Sequence, residues 1–223
     1  MVDPPSRVRG MQMAQLFYIV LGVIVLLIII AIAWRFSSNR LSLPCPAWLS
    51  WLVELDNPLF QNDSARNIIQ HLDLQPGMNV LDFGCGPGRL TIPIAKQISR
   101  AGQVTALDIQ AKMLDRNHAK ARAENLNNIH FVQGGAGEGK LGNNIHDRAL
   151  LVTVLGEIPD KDAAMKEIFD TLKPGGILSI TEVIADPHFQ SRASILRRAN
   201  AVGFVEKGFF GNRISFTINF ERP

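Results

Sequence analysis

The sequence contains few of the residues that build disulfide frameworks and metal sites. Its 223 residues include only two cysteines, Cys45 and Cys85, which are too few for a disulfide framework. The five histidines lack the close, regular spacing of metal ligands, so we expect no bound metal. The net charge is only +3, and this scattered surplus gives no reason to expect nucleic acid as a partner.

Charged residues are also absent from Met11 to Trp34. Residues 16–34 are apolar apart from Tyr18 and Gly22, and a helix of roughly 20 apolar residues can cross a hydrocarbon core. The pattern predicts an N-terminal tail over residues 1–13 and a transmembrane helix over residues 14–36. We therefore expect a single-pass membrane protein.

A cleaved signal peptide is the competing interpretation of this segment. Ala31-Ile32-Ala33 resembles a cleavage site, but the apolar stretch is longer than the roughly 7–15 residues usual in a signal peptide. An uncleaved anchor is therefore favoured. Two nearby arginines flank each end of the stretch, so the charges alone do not set its orientation.

Residues 37–63 form a predicted juxtamembrane segment that contains three prolines. Apolar residues recur at helical spacing between the prolines and predict a short amphipathic helix. They are Trp48, Leu49, Trp51, Leu52 and Leu55. Residues 44–60 can lie on the membrane, cover the mouth of an active site, or pack on the following domain.

The remainder, residues 64–223, alternates between apolar strands and amphipathic helices. The patterns predict strands at 79–83, 103–107, 129–132, 148–154 and 177–183, and helices at 64–72, 110–123, 161–172 and 191–202. Residues 214–220 alternate apolar with polar side chains and predict an antiparallel strand paired with residues 205–210. This order indicates an α/β domain whose sheet is mostly parallel and has helices on both faces.

The loop Gly84-Cys85-Gly86-Pro87-Gly88 directly follows the first of these strands. Glycines tolerate positive φ and let a ligand approach the backbone, and the carboxyl end of a strand is where open α/β sheets bind ligands. The dinucleotide pattern G-x-G-x-x-G fails, because Arg89 occupies its last position. The loop therefore predicts a site for another kind of nucleoside ligand.

Two acidic residues indicate the chemistry of that ligand. Asp82 precedes the loop, where its carboxylate would repel a pyrophosphate and suits an ammonium group. Asp108 ends the second strand, 20 positions after Gly88, where a carboxylate can accept hydrogen bonds from ribose hydroxyls.

Four segments resemble motifs of class I S-adenosylmethionine-dependent methyltransferases. VLDFGCGPG (residues 80–88) and VTALDIQ (residues 104–110) are similar to the family's first two motifs. DRALLVTVLGEIPD (residues 147–160) and LKPGGILSITEV (residues 172–183) are similar to its fourth- and fifth-strand motifs. The resemblance covers about residues 64–223. It implies a Rossmann-like seven-stranded sheet with an antiparallel last strand, and S-adenosylmethionine as the cofactor.

The resemblance also implies roles for individual residues. Asp82 would lie near the methionine amino group, Asp108 would bind the ribose hydroxyls, and Ile109 would pack on the adenine. The backbone of Ala136 would face the adenine edge. The full set implied for cofactor binding is Asp82, Phe83, Gly84, Cys85, Gly86, Gly88, Asp108, Ile109, Gly135, Ala136 and Thr153.

Gly135 is a departure from the family pattern. Many relatives carry an aspartate at this position, which contacts the adenine amino group, and glycine cannot make that contact. Either Glu138 replaces the missing carboxylate, or the backbone alone holds the adenine.

Cys85 lies within the glycine loop, where we expect it to be a small packing residue and not a nucleophile.

Catalytic candidates lie after the fourth and fifth strands. Methyl transfer from a sulfonium needs alignment and exclusion of water, and it needs a base only when the nucleophile must lose a proton. Glu157, Glu182 and His188 are the candidates for such a base. His188 is attractive because an imidazole ordinarily titrates near neutral pH.

The acceptor is expected to be small and lipophilic. The chain lacks the Asn/Asp-Pro-Pro-Tyr/Phe motif of amino-group methyltransferases, and it most resembles those that act on small molecules, including quinone precursors and lipids. S-adenosylmethionine is a cytosolic metabolite, so the domain is expected on the cytoplasmic side of the membrane. The alternatives are a protein or RNA methyltransferase and a non-catalytic, membrane-tethered cofactor-binding module.

Overall fold

The computed structural model describes residues 5–41, 64–135 and 137–223. In the N-terminal helix it describes the side chains at positions 12–27, 29, 30, 32, 33 and 37. The chain divides into two units, residues 1–41 and residues 42–223. The amphipathic helix predicted at residues 44–60 lies outside the described residues.

The first unit is one helix, α1, from Pro5 to Leu41. It extends beyond the predicted segment 14–36 at both ends, and the arginines there are good helix formers. The described large apolar side chains from Met13 to Ile32 are all at least 44% exposed. Within the described residues, no helix combines the length and the hydropathy needed to cross a membrane. The structure thus does not support the expected transmembrane helix.

The second unit is built on a seven-stranded sheet with the order β3-β2-β1-β4-β5-β7-β6. Its strands are β1 Asn79–Phe83, β2 Gln103–Asp108, β3 Ile129–Gln133, β4 His146–Val152, β5 Leu172–Val183, β6 Val205–Gly211 and β7 Ser215–Glu221. The first five strands pair in parallel, and β7 runs antiparallel to both of its neighbours. The predicted mixed sheet with an antiparallel last strand is confirmed.

The described helices of this unit lie before β1 and in the connections that follow β1, β2, β4 and β5. They are α2 Ala65–His71, α3 Thr91–Gln97, α4 Ala111–Ala123, α5 Lys161–Thr171 and α6 Arg192–Val202, with a 3₁₀ turn at Leu155–Glu157. The side chains of Ser64, Asp160 and Ser191 accept hydrogen bonds from backbone N–H groups in the first turns of α2, α5 and α6. Gly203 ends α6 in the left-handed conformation, with φ of 104°.

The two faces of the sheet pack against separate cores. Val80 and Leu150 point toward the core shared with α2 and α3. Leu81 and Leu151, their neighbours in the chain, point toward the core shared with α5 and α6. Successive side chains in a strand point to opposite faces, so Asp82 lies on the same face as Val80. The double burial explains why the parallel strands are continuous apolar runs.

The largest differences from the predicted strand boundaries are in the fourth strand, which begins at His146 and not at residue 148, and in the fifth. The fourth strand ends at Val152 and not at residue 154, because Thr153 has a φ of +54° and turns the chain away from the sheet. The fifth strand begins at Leu172, five residues earlier than predicted. Leu172 pairs with His146, and Arg148 pairs with Ile177, so the register shift between them leaves residues 173–176 of β5 without a partner in β4.

Candidate active site

The glycine loop after β1 crosses the carboxyl end of β2. The φ angles of Gly84, Gly86 and Gly88 are +74°, +50° and +92°, values that side-chain-bearing residues rarely adopt. A Cβ on Gly84 would lie 2.5 Å from Val154, whereas a Cβ on Gly86 would meet no atom within 4 Å. Gly84 is thus required by packing, and Gly86 borders open space that a ligand can occupy.

Asp108 ties this loop to β2. Its Oδ2 accepts a hydrogen bond from the Gly86 N–H at 2.9 Å, and its Oδ1 accepts one from the Gln110 N–H at 2.8 Å. Burial raises the pKa of the carboxyl, while the two N–H groups oppose that shift. Each carboxylate oxygen has a second lone pair, so Asp108 can still accept hydrogen bonds from two hydroxyl groups.

Asp82 is buried on the face of the sheet covered by α3. The Thr91 hydroxyl donates a 2.6 Å hydrogen bond to its Oδ2, and Asn117 donates to the Thr91 oxygen at 2.9 Å. Burial raises the pKa of Asp82 to about 6, with a smaller contribution from the charge of Asp108. The carboxyl is therefore largely ionised at pH 7 and can pair with a cation.

Other predicted cofactor residues contribute backbone or apolar surface. Phe83 and Cys85 point their side chains into the protein, so only their backbones can face a ligand at the loop. Burial raises the pKa of the Cys85 thiol well above its ordinary value, which disfavours the nucleophilic thiolate. In contrast, Ile109 is 58% exposed beside Asp108 and offers an apolar surface to a planar base.

The structure places Glu138 against Gly135. Its Oε1 lies 2.7 Å from the position that a Cβ on Gly135 would occupy, and the Gly135 N–H donates a hydrogen bond to this carboxylate. Lys140 forms an ion pair with the other oxygen, Oε2, at 2.8 Å. The Lys140 hydrogen bond, followed by that of Gly135, lowers the pKa of Glu138. A carboxylate therefore occupies the place of the missing side chain. Ala136 lies outside the described residues.

The segment after β4 lies between the glycine loop and a second cluster of polar residues. Thr153 donates its N–H to the Thr181 carbonyl oxygen at 2.9 Å. Val154 packs on Gly84, and a Cβ on Gly156 would overlap the carbonyl oxygen of His188. Residues 153–156 thus connect the predicted cofactor loop to the region of the catalytic candidates.

All three catalytic candidates meet in that second cluster. His188 Nδ1 lies 3.7 Å from Glu157 Oε1 and 3.8 Å from Asp186 Oδ1. Glu182 is 1% exposed, and its Oε2 accepts a hydrogen bond from the Gln190 N–H at 3.0 Å. Burial, with smaller contributions from the negative charges of Asp186 and Glu157, raises the pKa of Glu182 to about 8. The carboxyl is therefore mainly neutral at pH 7.

Hydrogen-bond partners of both carboxyl groups, Asp82 and Glu182, were not predicted from the sequence. Thr91 and Asn117 form the hydrogen-bond chain to Asp82, and Gln190 binds Glu182. The position of Thr91 at the start of the helix after the loop was a usable signal, since it follows Asp82 by nine residues. Nothing in the local pattern indicates Asn117 or Gln190. Among the described residues, no group of three or more His, Cys, Asp or Glu is arranged to hold a metal.

The comparisons with known proteins agree with this geometry. A methyltransferase domain family matches residues 74–203, more than half of the chain. A demethylmenaquinone methyltransferase of Lactobacillus johnsonii is 37% identical over 123 residues, which are 55% of this chain and 50% of that protein. The ubiquinone/menaquinone biosynthesis C-methyltransferase UbiE of Vibrio cholerae is 35% identical over 109 residues, which are 48% of this chain and 42% of that protein. The chain thus spans about half the length of the curated relatives it matches.

A solved structure supports the fold. The structure of a SAM-dependent methyltransferase from Aquifex aeolicus aligns with a TM-score of 0.72, covering 81% of this chain and 100% of that one. The sequence identity is 17%, so this likeness concerns the fold alone.

The sheet order, the antiparallel β7 and the glycine loop beside Asp108 define the class of Rossmann-like, S-adenosylmethionine-dependent methyltransferases. The chain belongs to the methyltransferase domain family that matches residues 74–203. S-adenosylmethionine is accordingly the cofactor of this domain. The residues present fit it, because open space faces Gly86, Asp108 retains acceptor capacity, and Asp82 can carry a negative charge.

Gly86 provides a test of where the cofactor binds. We expect Gly86→Ala to weaken binding of S-adenosylhomocysteine, the demethylated product, at least about tenfold, because the added methyl group projects into the ligand space. Gly77→Ala is the matched control, since Gly77 also has a positive φ, of +89°, and open space around its Cβ position. Isothermal titration calorimetry measures both affinities. Equal affinities in the two variants would place the ligand elsewhere.

Glu138 provides a test of adenine recognition. If its carboxylate accepts a hydrogen bond from the adenine amino group, the protein should prefer S-adenosylhomocysteine over the analogue with hypoxanthine as its base. We expect Glu138→Ala to reduce this preference by about tenfold, since a hydrogen bond to a charged group is lost. Glu124→Ala is the control, because Glu124 is also an exposed glutamate in a lysine ion pair. A preference that survives in Glu138→Ala assigns adenine recognition to the backbone.

Proposed function

We propose that this protein transfers a methyl group from S-adenosylmethionine to a ring carbon of a small, lipophilic acceptor of the quinone type. The observation that carries the proposal is the 37% identity with a demethylmenaquinone methyltransferase. A relative named as a C-methyltransferase of ubiquinone and menaquinone biosynthesis supports carbon as the methylated atom. The buried polar cluster after β4 and β5 supplies groups that can remove the proton such a carbon must lose.

The residues at and beside the glycine loop would hold the cofactor. When bound, S-adenosylmethionine supplies an electrophilic methyl group on a positively charged sulfur. Asp108 accepts hydrogen bonds from the ribose hydroxyls, and Asp82 provides a negative charge for the methionine ammonium group. Ile109 would cover the adenine face, and the Glu138 carboxylate would accept a hydrogen bond from the adenine amino group. Exclusion of water and alignment of the acceptor are then the main tasks left to the protein.

We also propose that α1 holds the protein at a membrane, with the methyltransferase domain on the cytoplasmic side. Support comes from the described apolar side chains of α1, which are exposed from Met13 to Ile32, since a continuous exposed apolar surface marks a membrane or protein contact. A lipophilic quinone would be concentrated in the same membrane. The cytosolic origin of the cofactor supports the orientation.

The acceptor proposal is tested with the full chain in detergent and methyl-labelled S-adenosylmethionine. The acceptors are a reduced, demethylated menaquinone, a protein extract and total RNA. We expect label in the quinol fraction, and a loss of at least about tenfold in Asp108→Asn because its carboxylate holds the ribose. Asp115→Asn, which changes an exposed aspartate of α4, is the control.

The other outcomes of this assay decide between the alternatives. Label in protein or RNA would replace the quinone with a macromolecular acceptor. Binding of S-adenosylhomocysteine without labelling of any fraction would support a non-catalytic cofactor-binding module.

The membrane proposal is tested by cell fractionation and an alkaline carbonate wash. We expect the wild-type chain in the washed membrane pellet. Leu26→Arg combined with Leu27→Arg should move most of it to the supernatant, because each charge costs about 2.5–3.5 kcal/mol in the apolar interior. The control, Gln12→Arg with Gln15→Arg, adds the same charge at the polar start of α1 and should stay in the pellet. Wild-type protein in the supernatant would contradict the proposal.

A further inference from the structure

The polar cluster after β4 and β5 contains two buried atoms without a partner. Within the described residues, His188 Nε2 and Glu182 Oε1 form no hydrogen bond, and their residues are only 4% and 1% exposed. A buried polar atom without a partner is costly, and it commonly marks a functional site. The cluster is therefore poorly explained by stability alone.

Two carboxylates lie close to one nitrogen of the His188 ring. Glu157 and Asp186 both lie nearest to Nδ1, at 3.7 and 3.8 Å. Asp186 also accepts a hydrogen bond from the His188 backbone N–H at 2.6 Å, which fixes the loop that carries the ring. Two acceptors beside Nδ1 favour the neutral form with its proton on Nδ1. In that form, Nε2 has a free lone pair.

The arrangement also accommodates a positive charge on the ring. Protonated His188 would lie between the carboxylates of Glu157 and Asp186, which stabilise an imidazolium. Glu182 adds a third carboxyl on β5, but its pKa of about 8 keeps it mainly neutral at pH 7. The two carboxylates therefore favour the uptake of one proton by the ring.

The fold places this cluster next to the predicted cofactor loop. Residue Gly156 contacts His188 so closely that a Cβ would overlap the histidine carbonyl oxygen, and Val154 of the same short segment packs on Gly84. The carboxyl ends of β4 and β5 are neighbours in the sheet, with Val152 paired to Thr181. Acceptors in open α/β sheets bind at this edge.

We propose that His188 is the catalytic base that accepts the proton released when the acceptor carbon is methylated, with Glu157 and Asp186 as positioning residues. The inference rests on the proposed C-methylation. In the step, a ring carbon of the acceptor forms a bond to the methyl group, while the methyl–sulfur bond breaks and its electron pair stays on sulfur. The C–H bond at that carbon then breaks, its electron pair restores the acceptor ring, and the proton passes to His188 Nε2. The imidazole of His188 then becomes an imidazolium between the carboxylates of Glu157 and Asp186.

The test compares His188→Gln with His130→Gln, which changes an exposed histidine on β3. In the quinol assay, we expect His188→Gln to lower kcat at least about 100-fold. Its KM and its affinity for S-adenosylhomocysteine should stay within threefold of the wild-type values. Its melting temperature should stay within a few degrees of that of the wild type. His130→Gln should match the wild type in all four measurements.

The pH profile separates a base from a structural histidine. Wild-type kcat should fall on the acid side as His188 becomes protonated, with Glu157, Asp186 and Glu182 as the ionisable groups that face it. Glu157→Gln should move this acid limb to lower pH, because the imidazolium loses a neighbouring negative charge.

Each outcome decides between the two proposals. If the wild type methylates the quinol and His188→Gln retains kcat within threefold, the base assignment is wrong and the proposed function stands. An unchanged acid limb in Glu157→Gln likewise overturns the positioning role. If the wild type binds S-adenosylhomocysteine but methylates no quinol, the proposed function fails, and this inference fails with it.

Discussion

The site depends on the hydrogen bond from the Gly86 N–H to the Asp108 carboxylate. Two further N–H groups of the loop, those of Gly84 and Cys85, donate to the Leu107 carbonyl oxygen at 2.8 and 3.0 Å. These bonds hold the loop across the end of β2, and the positive φ angles of the glycines make that path possible. Because the loop is already held in place, binding of the cofactor does not require it to become ordered.

The edge of the sheet carries carboxyl groups in two protonation states. Asp82, with a pKa of about 6, is mainly ionised at neutral pH and suits a cationic ligand. Glu182, with a pKa of about 8, is mainly neutral. Burial is the principal cause of both shifts, and the Thr91 hydrogen bond keeps the pKa of Asp82 lower. The same fold edge can thus hold a charged cofactor near β1 and a proton-accepting cluster near β5.

The two units of the chain follow different physical rules. Residues 64–223 bury apolar side chains on both faces of the sheet, as a globular α/β domain must. In α1, the described large apolar side chains from Met13 to Ile32 are exposed instead. The proposed membrane attachment and the proposed lipophilic acceptor would connect these two observations, since attachment would bring the domain close to its substrate.

The sequence by itself determined most of the fold and the loop at its centre. The strands β1, β2 and β3 were predicted within one residue, and the glycine loop between Asp82 and Thr91 was identified, because these features depend on local patterns. Only the tertiary structure decided the contacts of Asn117 with Thr91, of Glu138 with Gly135, and of His188 with Glu157 and Asp186. Most of these contacts join separate elements, and all depend on side-chain directions that only packing decides.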